Sequence, residues 1–395
     1  MKMNILMVSP FSHGVNISPI LDIAGQVAEK GHNVHFYTVK TSYIEFKADD
    51  SLEMAEPPGK VHMHYINNYF LIPSVAFPFL NPFTVYRDLK RIIDEEKIDV
   101  VHFNYPEHLI CLPLLGNLGV PTVLSVNAIP GYDWFYGNRL VDWVGMIYSR
   151  HISTRVILNS DVVVAPSTKL QNTLKDLDLD VKLTTLSSYG GCYGVDTQLF
   201  KPVTRELREK IRRKYQLPPE AFIIVYAGRL VPIKRIDLLI KSFPALKKRL
   251  ENAHLLLVGD GPEKPELLRL AHNHPDIHFL GFLNQEELSR IYGACDVFAL
   301  LSSGEGNAVG VMEAGASGLP AIVTPVGATP DLIKDSVNGY LTQPRIEEIV
   351  DKIIQIHKEH PQMAQNARKI AVENFAWDHI IKKHLDLYHS LVEGK

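Results

Sequence analysis

Two short segments hold residues whose types and spacing could do chemistry. In the first, Ala227-Gly228-Arg229-Leu230-Val231-Pro232-Ile233-Lys234 follows directly on an apolar run over 222–226. Parallel sheets bind ligands at strand-to-helix turns, and two cations five residues apart at such a turn can both reach one diphosphate. A surface turn with incidental charges is the plainer, less favoured alternative. The second segment is Ser302-Ser303-Gly304-Glu305-Gly306-Asn307-Ala308-Val309-Gly310-Val311-Met312-Glu313-Ala314. Its glycines let the backbone approach a ligand, and a helix starting near Ala308 would aim free N–H groups and a positive dipole end at a phosphate. Glu305 at the mouth of that helix can accept sugar hydroxyls. Glu313, eight positions on and about two turns along, is expected on the same side, where it suits a vicinal diol such as ribose. Solvated helix glutamates are the plain alternative.

Competing chemistries find little support. Val258-Gly259-Asp260-Gly261-Pro262-Glu263-Lys264 opens like a dinucleotide fingerprint but places Lys264 where the third glycine belongs, and no G-x-x-x-x-G-K-[ST] segment occurs. The 17 histidines include the pairs His62/His64 and His272/His274, which have no matched carboxylate cluster. They read as solvated or core side chains, so no metal site is expected. Cys111, Cys192 and Cys295 are odd in number and widely spaced, which suggests neither a disulfide framework nor a zinc cluster and fits a reducing, cytoplasmic compartment. A balance of 41 basic against 44 acidic residues advertises no nucleic-acid partner.

The elements that must position these residues alternate along the chain. Runs at 4–8, 33–39, 61–66, 99–103, 121–126 and 161–165 read as strands, with helices expected over 17–30 and 84–96. Gly31 would end the first helix and Ser167 would cap another. The pattern restarts with strands at 222–226, 254–258, 277–280, 296–300 and 321–324. The fold class is therefore α/β, built from two Rossmann-like sheets. Six basic residues over 205–214 and then Pro218-Pro219 place the boundary near residue 200. That run reads as a solvated helix face in preference to a membrane or polyanion site.

The apolar N-terminus breaks at Ser9-Pro10 and reads as a buried strand in preference to a signal peptide. The longest apolar stretch, 69–86, carries three prolines and an asparagine, so no membrane span is expected. The sequon at Asn16 reads as accidental.

GRLVPIK, VGDGP, the Glu305/Glu313 segment with EAGASGLPAIVTPVGATPDLI, and FAWDHIIKKHLDLYHSL occur in one order that resembles the C-terminal half of the retaining glycosyltransferases of family 4, which have the GT-B fold. The N-terminal ILMVSPFSHGVNISPILDIAGQVAEKGHNVHFYT, DVVHF and YGGCYGVDTQLFKP resemble the remainder more loosely.

The resemblance implies two Rossmann-like domains facing across a cleft. An acceptor-binding domain would span 1–199 and a nucleotide-sugar domain 200–374, with a helix over 375–395 crossing back. It implies that Arg229 and Lys234 hold the donor diphosphate. Glu313 would hold the ribose and Glu305 the donor sugar, with amides around Val309 and Gly310 on a phosphate. Gly228, Gly306, Asn307 and Ala308 would line the donor, Gly281-Phe282-Leu283 would border the base, and Gly14 would approach from the opposite domain. Three departures stand out: Asn307-Ala308 replace the usual Phe-Gly, Asn127 stands where histidine is usual, and His13-Gly14-Val15 lacks a second glycine.

The expected activity is metal-independent transfer of a sugar from a nucleoside diphosphate, with UDP the expected base, to a glycan, lipid-linked or small-molecule acceptor, retaining the anomeric configuration. His13 and Asn127 would contact the sugar or acceptor, and no cofactor beyond the donor is implied. Two rivals remain: an inverting enzyme with His13 as general base, and a binding protein without turnover. A lipid-linked acceptor would bring the chain to a membrane surface through 69–86 and the cations of 205–214.

Overall fold

The computed structural model of the 395-residue chain describes residues 1–10, 19–39, 60–66, 69–72, 77–106, 108–127, 129, 139–187, 189–272 and 274–394. The chain divides into two compact units, Met1–Leu186 with Ile380–Lys395, and Ser187–His379. The break thus falls earlier than residue 200, for a local reason. Val195 forms a parallel bridge with Ala376, and Arg368 donates to the carbonyls of Thr197 and Phe200, so the 187–200 segment is built into the second unit.

In the first unit the strands are β1 (Asn4–Val8), β2 (Asn33–Val39), β3 (Val61–Ile66), β4 (Tyr69–Ile72), β5 (Phe77–Leu80), β6 (Val100–Asn104), β7 (Thr122–Ser125), β8 (Val162–Val164) and β9 (Leu183–Thr184). Seven of them form a parallel sheet in the order β3-β2-β1-β6-β7-β8-β9. Ile5 to Val8 are completely buried, as continuous apolar strands inside a parallel sheet must be.

The first helix, Pro19–Glu29, is followed by Gly31 at φ +92°, a left-handed position that glycine enters without penalty. The helix Pro82–Glu95 starts with Asn81 accepting from the Phe83 amide and with proline at its first position. It buries Val85, Leu89, Ile92 and Ile93 on one face. Ser167 Oγ accepts from the Leu170 amide at the head of Thr168–Asp176.

The aromatic 69–86 stretch contains an antiparallel hairpin, β4 with β5, and then the start of the Asn81-capped helix. Leu80 and Val85 are core residues, so this stretch is not one free apolar loop. Helix Trp377–Glu393 delivers Ile380, Ile381, His384 and Tyr388 to the first unit's interior. There the Tyr388 hydroxyl lies 2.6 Å from His102 Nδ1 on β6, and His102 Nε2 lies 2.8 Å from Ser125 Oγ on β7. Burial holds His102 well below the usual imidazole range, so the network is neutral.

The second unit holds β10 (Phe222–Ala227), β11 (Ala253–Val258), β12 (Ile277–Gly281), β13 (Val297–Leu300), β14 (Ala321–Val323) and β15 (Gly339–Leu341), parallel throughout, in the order β12-β11-β10-β13-β14-β15. The order reverses between β10 and β13, the topological switch point where open α/β sheets leave a crevice at their carboxyl ends.

The basic run forms the helix Arg205–Lys214, capped by Thr204. It is not simply a solvated face. Arg212 is 3% exposed and donates to the carbonyls of Ala294, Pro219 and Ala221 and to Asp296 Oδ2. Arg208 donates to Gly293 and Cys295 carbonyls and to Asp296 Oδ1. These two cations pin the helix to the end of the sheet, while Arg205, Lys210, Arg213 and Lys214 stay exposed. Among the described residues no helix is long and apolar enough to cross a membrane.

Candidate functional site

The switch point of the second unit brings the two chemical segments together. β10 ends at Ala227, and Gly228 follows at φ +153°, with its amide donating to the Val258 carbonyl at the end of β11. A Cβ on Gly259 would run into the Gly228 carbonyl, and one on Gly261 into the Leu230 carbonyl. The two glycines of the 258–264 motif therefore let two strand-end loops pack backbone to backbone, a structural use for a pattern that resembles a dinucleotide fingerprint.

Past Gly228 the chain turns through a 3-10 helix, Pro232–Lys234, and Arg235 enters the left-handed region before the helix Ile236–Lys247. This turn delivers Lys234 Nζ to Glu305 Oε1 at 2.6 Å, with the lysine side chain 20% and the glutamate side chain 6% exposed. Ser302 Oγ donates to the same carboxylate oxygen at 2.5 Å. The Ser303 amide donates to the Ile233 carbonyl, so backbone and side chain both join the loops after β10 and β13. Arg229 is exposed and makes no ion pair among the described residues. Tyr226 Oη donates to its carbonyl, and burial, reinforced by the charge of Glu305, pushes that phenol far above its usual range.

The 302–308 loop is held from beneath. Gly327, at φ +55°, sits where a Cβ would strike the Glu305 carbonyl, and the Ala328 amide donates to the Gly306 carbonyl. Ala308 adopts φ +48° at the N-cap of the helix Val309–Ala316 and supplies no side-chain cap. Val309 and Gly310 open that helix, and the first amides of a helix have no intrahelical acceptor. Glu313 is half-buried on the helix, whereas Glu305 lies in the loop before it. The residues between them are not all helical, so the two-turn spacing does not by itself relate their positions.

Asn307 is 8% exposed, and its Oδ1 accepts from the Cys192 amide at 3.2 Å and from the Cys192 thiol at 3.1 Å. Its side chain ties the 190–194 loop to the 302–308 loop. Burial raises the Cys192 thiol to about 12, so it stays neutral. Gly281 closes β12 at φ +71°, its carbonyl accepts from the Gly259 amide, and Phe282 beside it is exposed. Arg229, Lys234, Glu305 and the 306–310 backbone thus share the switch point, with Gly281, Phe282 and Leu283 two strands away on the same sheet edge. Asn127 belongs to the first unit, just after β7, and is half-buried. His13 and Gly14 lie outside the described residues.

Sequence reasoning passed over Ser302, Tyr226, Gly327 and Asp22. Ser302 carries a readable signal, a small hydroxyl at a strand end three residues before a glutamate. Asp22 sits in the first turn of Pro19–Glu29, where burial raises its carboxyl from 3.8 to about 7. Its only sequence signal is an acid among apolar neighbours. His62 and His64 on β3 stack against His35 on β2, at 4.9 and 5.3 Å between ring centroids. Among the described residues no group of three or more His, Cys, Asp or Glu is arranged to hold a metal.

Comparison with known proteins matches residues 207–373 to the family model "Glycosyl transferases group 1" and residues 20–187 to "Glycosyltransferase Family 4". An uncharacterized glycosyltransferase of Methanocaldococcus jannaschii is 31% identical over 94% of this chain and 93% of its own. The N-acetyl-alpha-D-glucosaminyl L-malate synthase of Bacillus anthracis is 25% identical over 94% of this chain and 92% of its own. Among solved structures, Anabaena HepE in complex with UDP superposes with a TM-score of 0.72 at 19% identity, covering 99% of this chain and 100% of that one.

Proposed function

The chain belongs to the group 1, family 4 glycosyltransferases, with the GT-B fold, and from that premise we propose that it transfers a sugar from a UDP-linked donor to an acceptor hydroxyl with retention of configuration. The observation that carries this reading is the Lys234–Glu305 pair at the switch point, beside exposed Arg229 and the uncapped Val309–Ala316 helix. Bond cleavage at the anomeric carbon leaves negative charge on the departing diphosphate. Arg229, Lys234 and the Val309 and Gly310 amides meet that charge, which lets the protein do what a metal does elsewhere. Glu305 orients Lys234 and accepts donor-sugar hydroxyls, while Glu313 accepts the ribose diol. The base borders Gly281, Phe282 and Leu283, and Gly228 lets the donor come close. Asn307 acts through Cys192 and keeps the loop in shape.

The HepE complex supports UDP as the nucleotide, and the Bacillus anthracis relative, named for an alpha-D-glucosaminyl product, supports an α-linked product. The acceptor is a glycan, lipid or small-molecule hydroxyl. A thermal-shift panel of UDP-, GDP- and ADP-sugars tests the donor, since a ligand at about 100 times its Kd adds roughly 2.7 kcal/mol of stability. Stabilisation by UDP-sugars alone supports the reading, and a folded chain that responds to none of the three overturns it. NMR of the first-formed product then reads the anomer; a β-linked product from an α-linked donor refutes retention.

A further inference from the structure

The carboxylate of Glu305 is loaded on one side only. Lys234 Nζ and Ser302 Oγ both donate to Oε1, at 2.6 and 2.5 Å. Oε2 takes no hydrogen bond among the described residues and is not sealed from solvent. Each carboxylate oxygen accepts through its own lone pairs, so two donors on one oxygen leave the other with its full accepting capacity. The lysine alone does not choose which oxygen that is. Its ammonium is a point charge on a flexible stem, equally served by Oε1, by Oε2 or by both.

The serine chooses, because its backbone is pinned. Ser302 is buried just past β13, and its own carbonyl accepts from Thr324 Oγ1, just past β14, at 2.5 Å. Thr324 is fixed in turn: its carbonyl accepts from Thr329 Oγ1 at 2.5 Å, and the Val326 amide donates to that same hydroxyl at 3.0 Å. Both threonines are buried. The turn they close meets the loop twice more, through the Ala328 amide on the Gly306 carbonyl and through Gly327 against the Glu305 carbonyl. Hydrogen bonds shielded from water in this way hold a single geometry, and a hydroxyl one carbon from such a backbone has little freedom of its own.

We propose that Ser302 is a positioning residue for donor choice: braced by Thr324, it turns Glu305 so that Oε1 holds Lys234 and Oε2 accepts a hydroxyl of the donor sugar. This role rests on Glu305 contacting the donor sugar, as proposed above. It adds a selectivity to that contact. A carboxylate oxygen accepts and never donates, so the sugar must offer a hydroxyl there. Donors that are deoxygenated, O-alkylated or anionic at that position are rejected, because the buried carboxylate is then left unpaired on that side or faces a like charge.

The test compares Ser302→Ala with the parent on donors that each lack one sugar hydroxyl, built on the nucleotide that the thermal-shift panel selects. In the parent, one monodeoxy donor should lose about 10- to 100-fold in kcat/KM, the worth of a hydrogen bond to a charged group. In Ser302→Ala the complete donor should fall about tenfold, and removing that hydroxyl should then cost no more than about threefold further. The nucleoside diphosphate alone should bind both proteins within about twofold by calorimetry, which a general distortion of the site would not allow. Thr324→Val should lower kcat/KM for the complete donor by about two- to tenfold, and Thr324→Ser, which keeps the hydroxyl, should stay within about twofold of the parent; this pair reports even where Ser302→Ala unfolds. An undiminished deoxy penalty in folded Ser302→Ala, nucleotide binding lost together with sugar selectivity, or equal rates for Thr324→Val and the parent would each overturn the proposal while leaving the donor assignment standing. A parent that turns over no donor overturns that assignment and this role with it.

Discussion

Replacing Lys234 with methionine separates the two jobs open to the Lys234–Glu305 pair. The glutamate side chain is 6% exposed and takes its hydrogen bonds from Lys234 and Ser302. Without the lysine, a nearly buried carboxylate keeps one hydroxyl partner, and breaking a fully buried pair costs about 3–5 kcal/mol. The lysine side chain is 20% exposed, so water screens part of that loss, and about 2–3 kcal/mol is expected. Lys234→Met with Glu305→Gln leaves no charge buried and should recover most of the stability. Turnover should not follow. A cation on the leaving diphosphate is worth about 3–4 kcal/mol of barrier, so kcat/KM should fall about 10²- to 10³-fold in both variants. Urea unfolding and release of nucleoside diphosphate measure the two quantities on the same samples. A folded Lys234→Met enzyme within threefold of the parent rate, or a double variant that regains activity with its stability, would refute the phosphate role and leave the pair purely structural.

Arg212→Ala should destabilise the second unit by about 3–5 kcal/mol in denaturant melts, because Asp296 and three carbonyls lose a buried donor together. Gly259→Ala should cost about 2–4 kcal/mol and lower turnover, since φ is +123° and the new methyl meets the Gly228 carbonyl; an unchanged melting temperature would contradict that close approach. Asp22 has a folded pKa of about 7 against 3.8, so the native state holds its proton longer than the unfolded chain does. The stability this contributes is complete below pH 4 and is lost as pH rises through 7. Asp22→Asn should therefore flatten the pH 4–7 stability profile, by up to about 4 kcal/mol.

The strands were readable wherever burial on both faces demanded a continuous apolar run, as at Ile5 to Val8 and Leu255 to Leu257. β9 and β15 passed unread because Leu183–Thr184 and Gly339–Leu341 are too short to show a period, and they exist only because a neighbouring edge was there to pair with. Prolines masked the β4–β5 hairpin. The chemistry of the site was legible as residue types, Arg229, Lys234 and Glu305 among them. Its wiring was not, since nothing local says that Lys234 meets a glutamate from the far side of the switch point or that Asn307 turns its carbonyl to Cys192. Arg212 shows the same limit: its charge reads as surface, and only the carbonyls at the end of the sheet make it a core residue.

The joint between His102 and Tyr388 has a consequence in time. The two residues stand 286 positions apart, and Tyr388 leaves the ribosome long after the sheet that receives it. At about 5–20 residues per second that interval is roughly 15–60 s. For roughly the last 10–40 s of it, once Thr184 has completed the seven-stranded sheet in sequence, that sheet lacks a helix over His102 and Ser125, so their polar atoms stay wet and the surrounding apolar surface stays open. A chain cut short before Ile380 would keep that seam open to water.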